Sequence, residues 1–119
     1  MAITQTMCTS FKKEVLQAVH NFSASGGHTF KIALYTSSAT IGADTTAFTT
    51  SNEASGTAYV SGGNTLTNVE PSSGSTTGFC DFADTFWNSS SITARGALIY
   101  NSSQSNKAVC VLNFGSDIT

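Results

Sequence analysis

Two apolar stretches joined by a short polar turn, residues 92–100 and 108–114 on either side of NSSQSN, constrain this chain more than any other feature. In the first, Ile92, Ala94, Gly96, Leu98 and Tyr100 recur at a spacing of two, and Ala97 and Ile99 make the opposite face apolar as well. Val109, Val111 and Leu112 repeat the pattern in the second stretch. A strand that is apolar on both faces must be covered on both, so this hairpin is expected at the centre of the core.

The rest of the chain repeats the theme in shorter pieces. In HTFKIALYT, Phe30, Ile32 and Leu34 alternate with Lys31, Ala33 and Tyr35, the pattern of a strand with one fully apolar and one mixed face. Further strands are expected over 57–60, 65–69 and 78–82, separated by SGGN and by a PSSGST turn around the only proline, Pro71. The single helical pattern is TSFKKEVLQAVHNF, residues 9–22, in which Phe11, Val15, Ala18, Val19 and Phe22 recur at helical spacing. Thr9 or Ser10 can cap its start, and Gly26 or Gly27 of SASGG its end.

SSATIGADTTAFTTSNEASG, residues 37–56, is long for a structureless loop inside a compact domain. It is expected either to reach toward a partner or to hold a short extended piece around 46–49. The chain is thus expected to be one mainly β domain over 1–119, a β-sandwich or jelly-roll-like fold with one N-terminal α-helix. Residues 1–8 would form an N-terminal arm, residues 9–22 the helix, and 28–114 the strands.

Composition narrows the function. Charged residues make up 10% of the 119 residues, against about 25% in ordinary soluble domains, and Ser and Thr fill roughly 30% of the chain. With a net charge of -2 and five scattered basic residues, the surface offers no footprint for nucleic acid or anionic lipid. The N-terminus lacks a basic n-region followed by an apolar h-region, and no run of about 18 apolar residues occurs. A cytosolic product, neither secreted nor membrane-spanning, is expected.

No catalytic, cofactor-binding or metal-ligating set emerges. His20, on the polar side of the helical pattern, and His28, at a strand start, read as solvated side chains rather than metal ligands. Asp81 and Asp84 lack the ladder of a calcium loop. No G-x-S-x-G elbow, G-x-G-x-x-G or Walker lysine is present, so no enzyme is expected. Arg95, the only arginine, is expected to pair with Asp81 or Asp84, or else to meet a partner subunit. Tyr35, Tyr59, Phe79, Phe82, Phe86 and Trp87 read as core aromatics, with a sugar-stacking platform as the alternative. The sequons at Asn21, Asn88 and Asn101 are no more than eight Asn in a hydroxyl-rich chain give by chance. Cys8, Cys80 and Cys110 are expected as buried free thiols, with a Cys80–Cys110 disulfide as the alternative.

The succession TFKIALYTSSAT, NEASGTAYVSGGNTLTN, FADTFWNSSSITARGALIYN and KAVCVLNFGSD resembles small virion-associated proteins of tailed double-stranded DNA bacteriophages. The likeness starts at FKKEVLQAVHNF and covers nearly the whole chain. It implies a capsid decoration or cement protein on the outer capsid surface, made in the host cytoplasm, whose partner is the major capsid protein. A homo-oligomer, dimer or trimer, is implied too, with no catalytic residues to carry over. The alternative expectation is a receptor- or glycan-binding module of a tail or head fibre, which would need an exposed aromatic cluster such as Tyr35 with Tyr59 or Trp87.

Overall fold

The computed structural model describes residues 3–119. In chain order they form β1 (Thr6–Met7), α1 (Thr9–Leu16), β2 (Phe30–Tyr35), β3 (Gly56–Thr57), β4 (Asn64–Thr65), β5 (Asn68–Gly74), β6 (Thr77–Phe82), β7 (Ser91–Ile92), β8 (Ala94–Asn101) and β9 (Lys107–Ile118). Five strands make one antiparallel sheet in the order β1-β9-β8-β2-β4, and β3–β7 and β5–β6 are two-stranded ribbons. The expected class, mainly β with a single N-terminal helix, is the one the chain adopts.

The hairpin over NSSQSN lies in the middle of this sheet, with β8 between β9 and β2. Its turn is closed by the Asn101 side chain, whose Oδ1 accepts the Ser103 N–H at 3.0 Å, and by Ser105 and Asn106 at φ 56° and 60°. Register places Phe30 opposite Asn101, Ile32 opposite Ile99, Leu34 opposite Ala97 and Ile99 opposite Cys110, so these side chains share a face. Ala33, Tyr35, Leu98, Tyr100, Ala108 and Val111 share the other. Leu98, Ala97, Phe30 and Tyr35 are 0% exposed, as a strand apolar on both sides requires.

Each face has its own cover. Phe11 of α1, Phe22 and Phe82 pack on the Phe30 side, where Phe22 stacks on Phe30 with centroids 4.4 Å apart. Farther along that face, Ala54, Ile92, Ala94, Tyr59 and Trp87 gather around Leu34 and Ala97. The opposite face is closed by the earlier part of the Ser/Thr-rich segment 37–56, which buries Ala39 and Ile41 and stacks Phe48 on Tyr100 at 4.7 Å, while Ala54 near its end packs on the Leu34 side. That segment is a cover rather than a reaching loop. Main-chain bonds Phe48 N–H to Asn106 O, Ala108 N–H to Thr46 O and Ala54 N–H to Leu34 O tie it down.

Of the expected arm 1–8, residues 1 and 2 lie outside the described residues. Ile3 is buried and bridges Ile41, and β1 pairs with β9 through Thr6–Val111 and Met7–Cys110. Gly96 leaves the room Ile3 needs, because a Cβ there would stand 2.6 Å from the Leu112 carbonyl and 2.8 Å from the Ile3 side chain.

The helix is shorter than its periodicity predicts. It stops at Leu16 because Ala18 turns left-handed at φ 58°, with Val19 N–H bonding Glu14 O and Ala18 N–H bonding Val15 O, the two bonds of a Schellman closure. Val19, Phe22 and the SASGG turn therefore lie beyond it. At its start the capping position is Cys8, without a side-chain bond, rather than Thr9 or Ser10. The strand edges shift as well. Ala58, at φ 68°, ends the expected 57–60 strand after Thr57, and β9 runs on to Ile118 across a bulge. Pro71 sits inside β5 at a bulge between Val69 and Ser72, a position where its missing N–H removes no ladder bond.

Candidate functional site

The two histidines are held by side-chain and main-chain partners, His20 with its side chain fully buried and His28 half-buried. His20, past the early helix end, has a fully buried side chain whose Nε2 donates to Glu14 Oε1 at 2.9 Å. The fully buried Asn101 fixes the rest of the cluster. Its Oδ1 is committed to Ser103 N–H, so its amide Nδ2 donates to both Nδ1 of His20 and Nδ1 of His28, each at 2.9 Å. His28 Nδ1 also accepts the Asn21 N–H at 3.1 Å, and its Nε2 faces the Gln104 amide at 3.3 Å. Both imidazoles thus present acceptors inward. The cluster is satisfied within itself and ties α1, the 17–29 connection and the hairpin turn together, a structural role for residues expected at the surface.

A second polar knot holds the loops on the other side. The Glu53 carboxylate accepts Tyr59 Oη (2.6 Å), Ser61 Oγ (2.7 Å) and Gly62 N–H (2.7 Å), while Tyr59 Oη accepts Leu34 N–H at 3.0 Å. Tyr100 Oη donates to Gly62 O at 2.7 Å and Tyr35 Oη to Thr49 O at 2.6 Å. Burial, above all, pushes the Tyr35 and Tyr59 hydroxyls well up from the ordinary tyrosine range, and it raises Tyr100 as well. These phenols stay protonated and serve as fixed donors.

Among the described residues no three His, Cys, Asp or Glu side chains converge as metal ligands. Asp81 bonds the next residue, its Oδ1 accepting the Phe82 N–H at 2.7 Å. Arg95 does form an ion pair, but with Asp117 at 3.1 Å rather than with Asp81 or Asp84. Both groups are well exposed, a geometry worth little net stability. The three cysteines are free thiols: Cys8 buried, Cys110 half-buried and Cys80 exposed, so Cys80 is not the buried thiol expected. Burial, with Cys8 and Cys80 nearby, pushes the Cys110 thiol up to about 11.

The surface carries two apolar depressions. The larger is an open groove of about 720 Å³ between α1 and the β5–β6 ribbon, lined by Met7, Phe11, Val15, Phe22 and Phe79, with Lys12 its only charged side chain. Met7, Val15 and Phe79 are each about half exposed. The smaller, about 390 Å³, lies at Phe86, Trp87, Ile92, Phe114 and Ile118 with Thr85 and Asn88 at hand. Of the six aromatics noted in the sequence, Tyr35 is buried in the core and Phe82 packs on Phe22 and Phe30. Tyr59 and Trp87 stack at 6.1 Å, and Phe79 and Phe86 are exposed. The groove was not legible in the sequence because Met7 and Val15 come from separate elements and the ribbon's fold over α1 has no local signature.

No protein-family model matches the chain, and no curated protein or solved structure matches it. No helix among the described residues is long and apolar enough to cross a membrane.

Proposed function

We propose that the chain is a non-enzymatic structural protein of a tailed phage particle, a cement or decoration protein that binds the outside of the major capsid protein lattice. The observation that carries this reading is the groove between α1 and the β5–β6 ribbon. Half-exposed Met7, Val15 and Phe79 around it are the kind of continuous apolar surface that marks a protein contact. The sequence resemblance supplies the identity of that partner. A sparsely charged, hydroxyl-rich surface suits attachment by apolar and main-chain contacts, which salt screens little. Each copy would bury area across the boundary between capsid subunits, and many copies together would hold the shell closed. The test is add-back: heads lacking the protein are heated with and without the purified chain. A higher temperature of DNA release from the heads given the chain supports the reading, and an unchanged profile with no bound protein contradicts it.

A second reading, a glycan-binding module of a fibre, is favoured by the depression at Trp87. Its indole stacks on Tyr59, its buried Nε1–H meets no acceptor among the described residues, and Phe86 stands open beside it with Thr85 and Asn88. Retention on immobilised host-surface polysaccharide, lost on Trp87→Ala, would favour this reading over capsid attachment.

A further inference from the structure

The β5–β6 ribbon is the least protected part of the fold. Two-stranded ribbons are marginal in water and gain stability from a third strand, and residues 69–81 are exposed throughout. Its two edges differ. The β5 edge carries Pro71 and a bulge, both features that discourage pairing. The β6 edge, Thr77–Phe82, has no proline, no lysine and no bulge, the extra residue of the irregularity being on β5.

The free groups on that edge can be assigned. Main-chain groups of an antiparallel strand alternate toward and away from their neighbour. Ala83 N–H reaches Thr67 O at 2.9 Å, so Ala83, and in steps of two Asp81, Phe79 and Thr77, face β5. Gly78, Cys80 and Phe82 therefore turn outward. The outward N–H of Phe82 is taken by Asp81 Oδ1, which leaves the N–H and C=O of Gly78 and Cys80 as the complete open pairs, with the C=O of Phe82 beyond them at the strand's end.

We infer that β6 pairs with β6 of a second copy of this chain, antiparallel about a two-fold axis at Phe79. This register is self-complementary. Gly78 of each copy exchanges its two main-chain bonds with Cys80 of the other, so both open pairs are used and the two ribbons become one four-stranded sheet. Phe79, 54% exposed in the single chain, meets its own equivalent directly across the axis, the close approach at which aromatic pairs stabilise sheets. Asp81 falls opposite Thr77, so no like charges face each other. Because Phe79 also lines the groove, pairing brings the two grooves side by side.

The inference does not depend on capsid attachment, since the edge is open whatever the protein binds, and it is tested on the purified chain alone. Sedimentation equilibrium at high micromolar concentration should give twice the 12.3 kDa chain mass. Phe79→Glu, which sets two carboxylates face to face, should return the mass to one chain with an unchanged circular dichroism spectrum. In a Cys80→Ser background, Phe79→Cys should cross-link between chains on mild oxidation and Thr77→Cys should not. A wild-type chain of single or triple mass, a dimer that survives Phe79→Glu, or equal cross-linking from positions 77 and 79 would overturn it.

Discussion

Asn101 joins the hairpin turn to both histidines from inside the protein. It is 0% exposed, and one amide serves three partners: the Ser103 N–H and the Nδ1 atoms of His20 and His28. Asn101→Leu keeps the volume but leaves those partners buried or half-buried without bonds. Since each unsatisfied buried group costs about 1–3 kcal/mol, the variant should lose about 3 kcal/mol of unfolding free energy in urea, with relaxation and water limiting the sum. An unchanged midpoint would mean that water serves these groups as well as Asn101 does. None of this was legible in the sequence. Asn101 reads there as one of many turn residues, and the histidines as surface groups, because the contacts join positions about 80 residues apart.

The elements were legible where their pattern is set by neighbours along the chain. The 92–114 hairpin was expected at the centre and lies there, since its two apolar faces allow little else. Helix α1 was overextended because Ala18, Val19 and Phe22 keep helical spacing by accident, while the left-handed turn at Ala18 has no glycine to announce it. That turn makes a sharp prediction. Alanine is strained at φ 58° where glycine is not, so Ala18→Gly should stabilise the protein, by up to about 1 kcal/mol, in denaturant titration. A loss of stability would mean that position 18 does not hold the Schellman turn in solution. In segment 37–56 the extended piece expected around 46–49 is there, Ala47 pairing with Lys107, but the covering role of the segment was not legible, for a related reason: its cover consists of single residues, Ala39, Ile41 and Phe48, spaced with no period.

Taken together, the fold is one central sheet closed on both faces, with its phenols and two of its three thiols wholly or partly buried and an apolar groove outside. The buried groups set its response to alkali. Cys110 rises from a thiol's ordinary value near 9 to about 11 on folding, chiefly by burial, so the unfolded chain loses that proton first. The stability is complete below about pH 9 and falls as pH climbs through 11, Cys110 alone contributing about 2–3 kcal/mol of the loss. Tyr35 and Tyr59 act in the same direction. Urea midpoints measured from pH 8 to 11 should decline, and less steeply in Cys110→Ala; a flat profile would contradict the burial of these groups. The outside face decides the function, and copy number decides it most directly. Quantitative mass spectrometry of purified phage particles, counted against the major capsid protein, should give one copy, or a simple fraction of one, per capsid subunit. A handful of copies per particle, or none, would contradict capsid attachment.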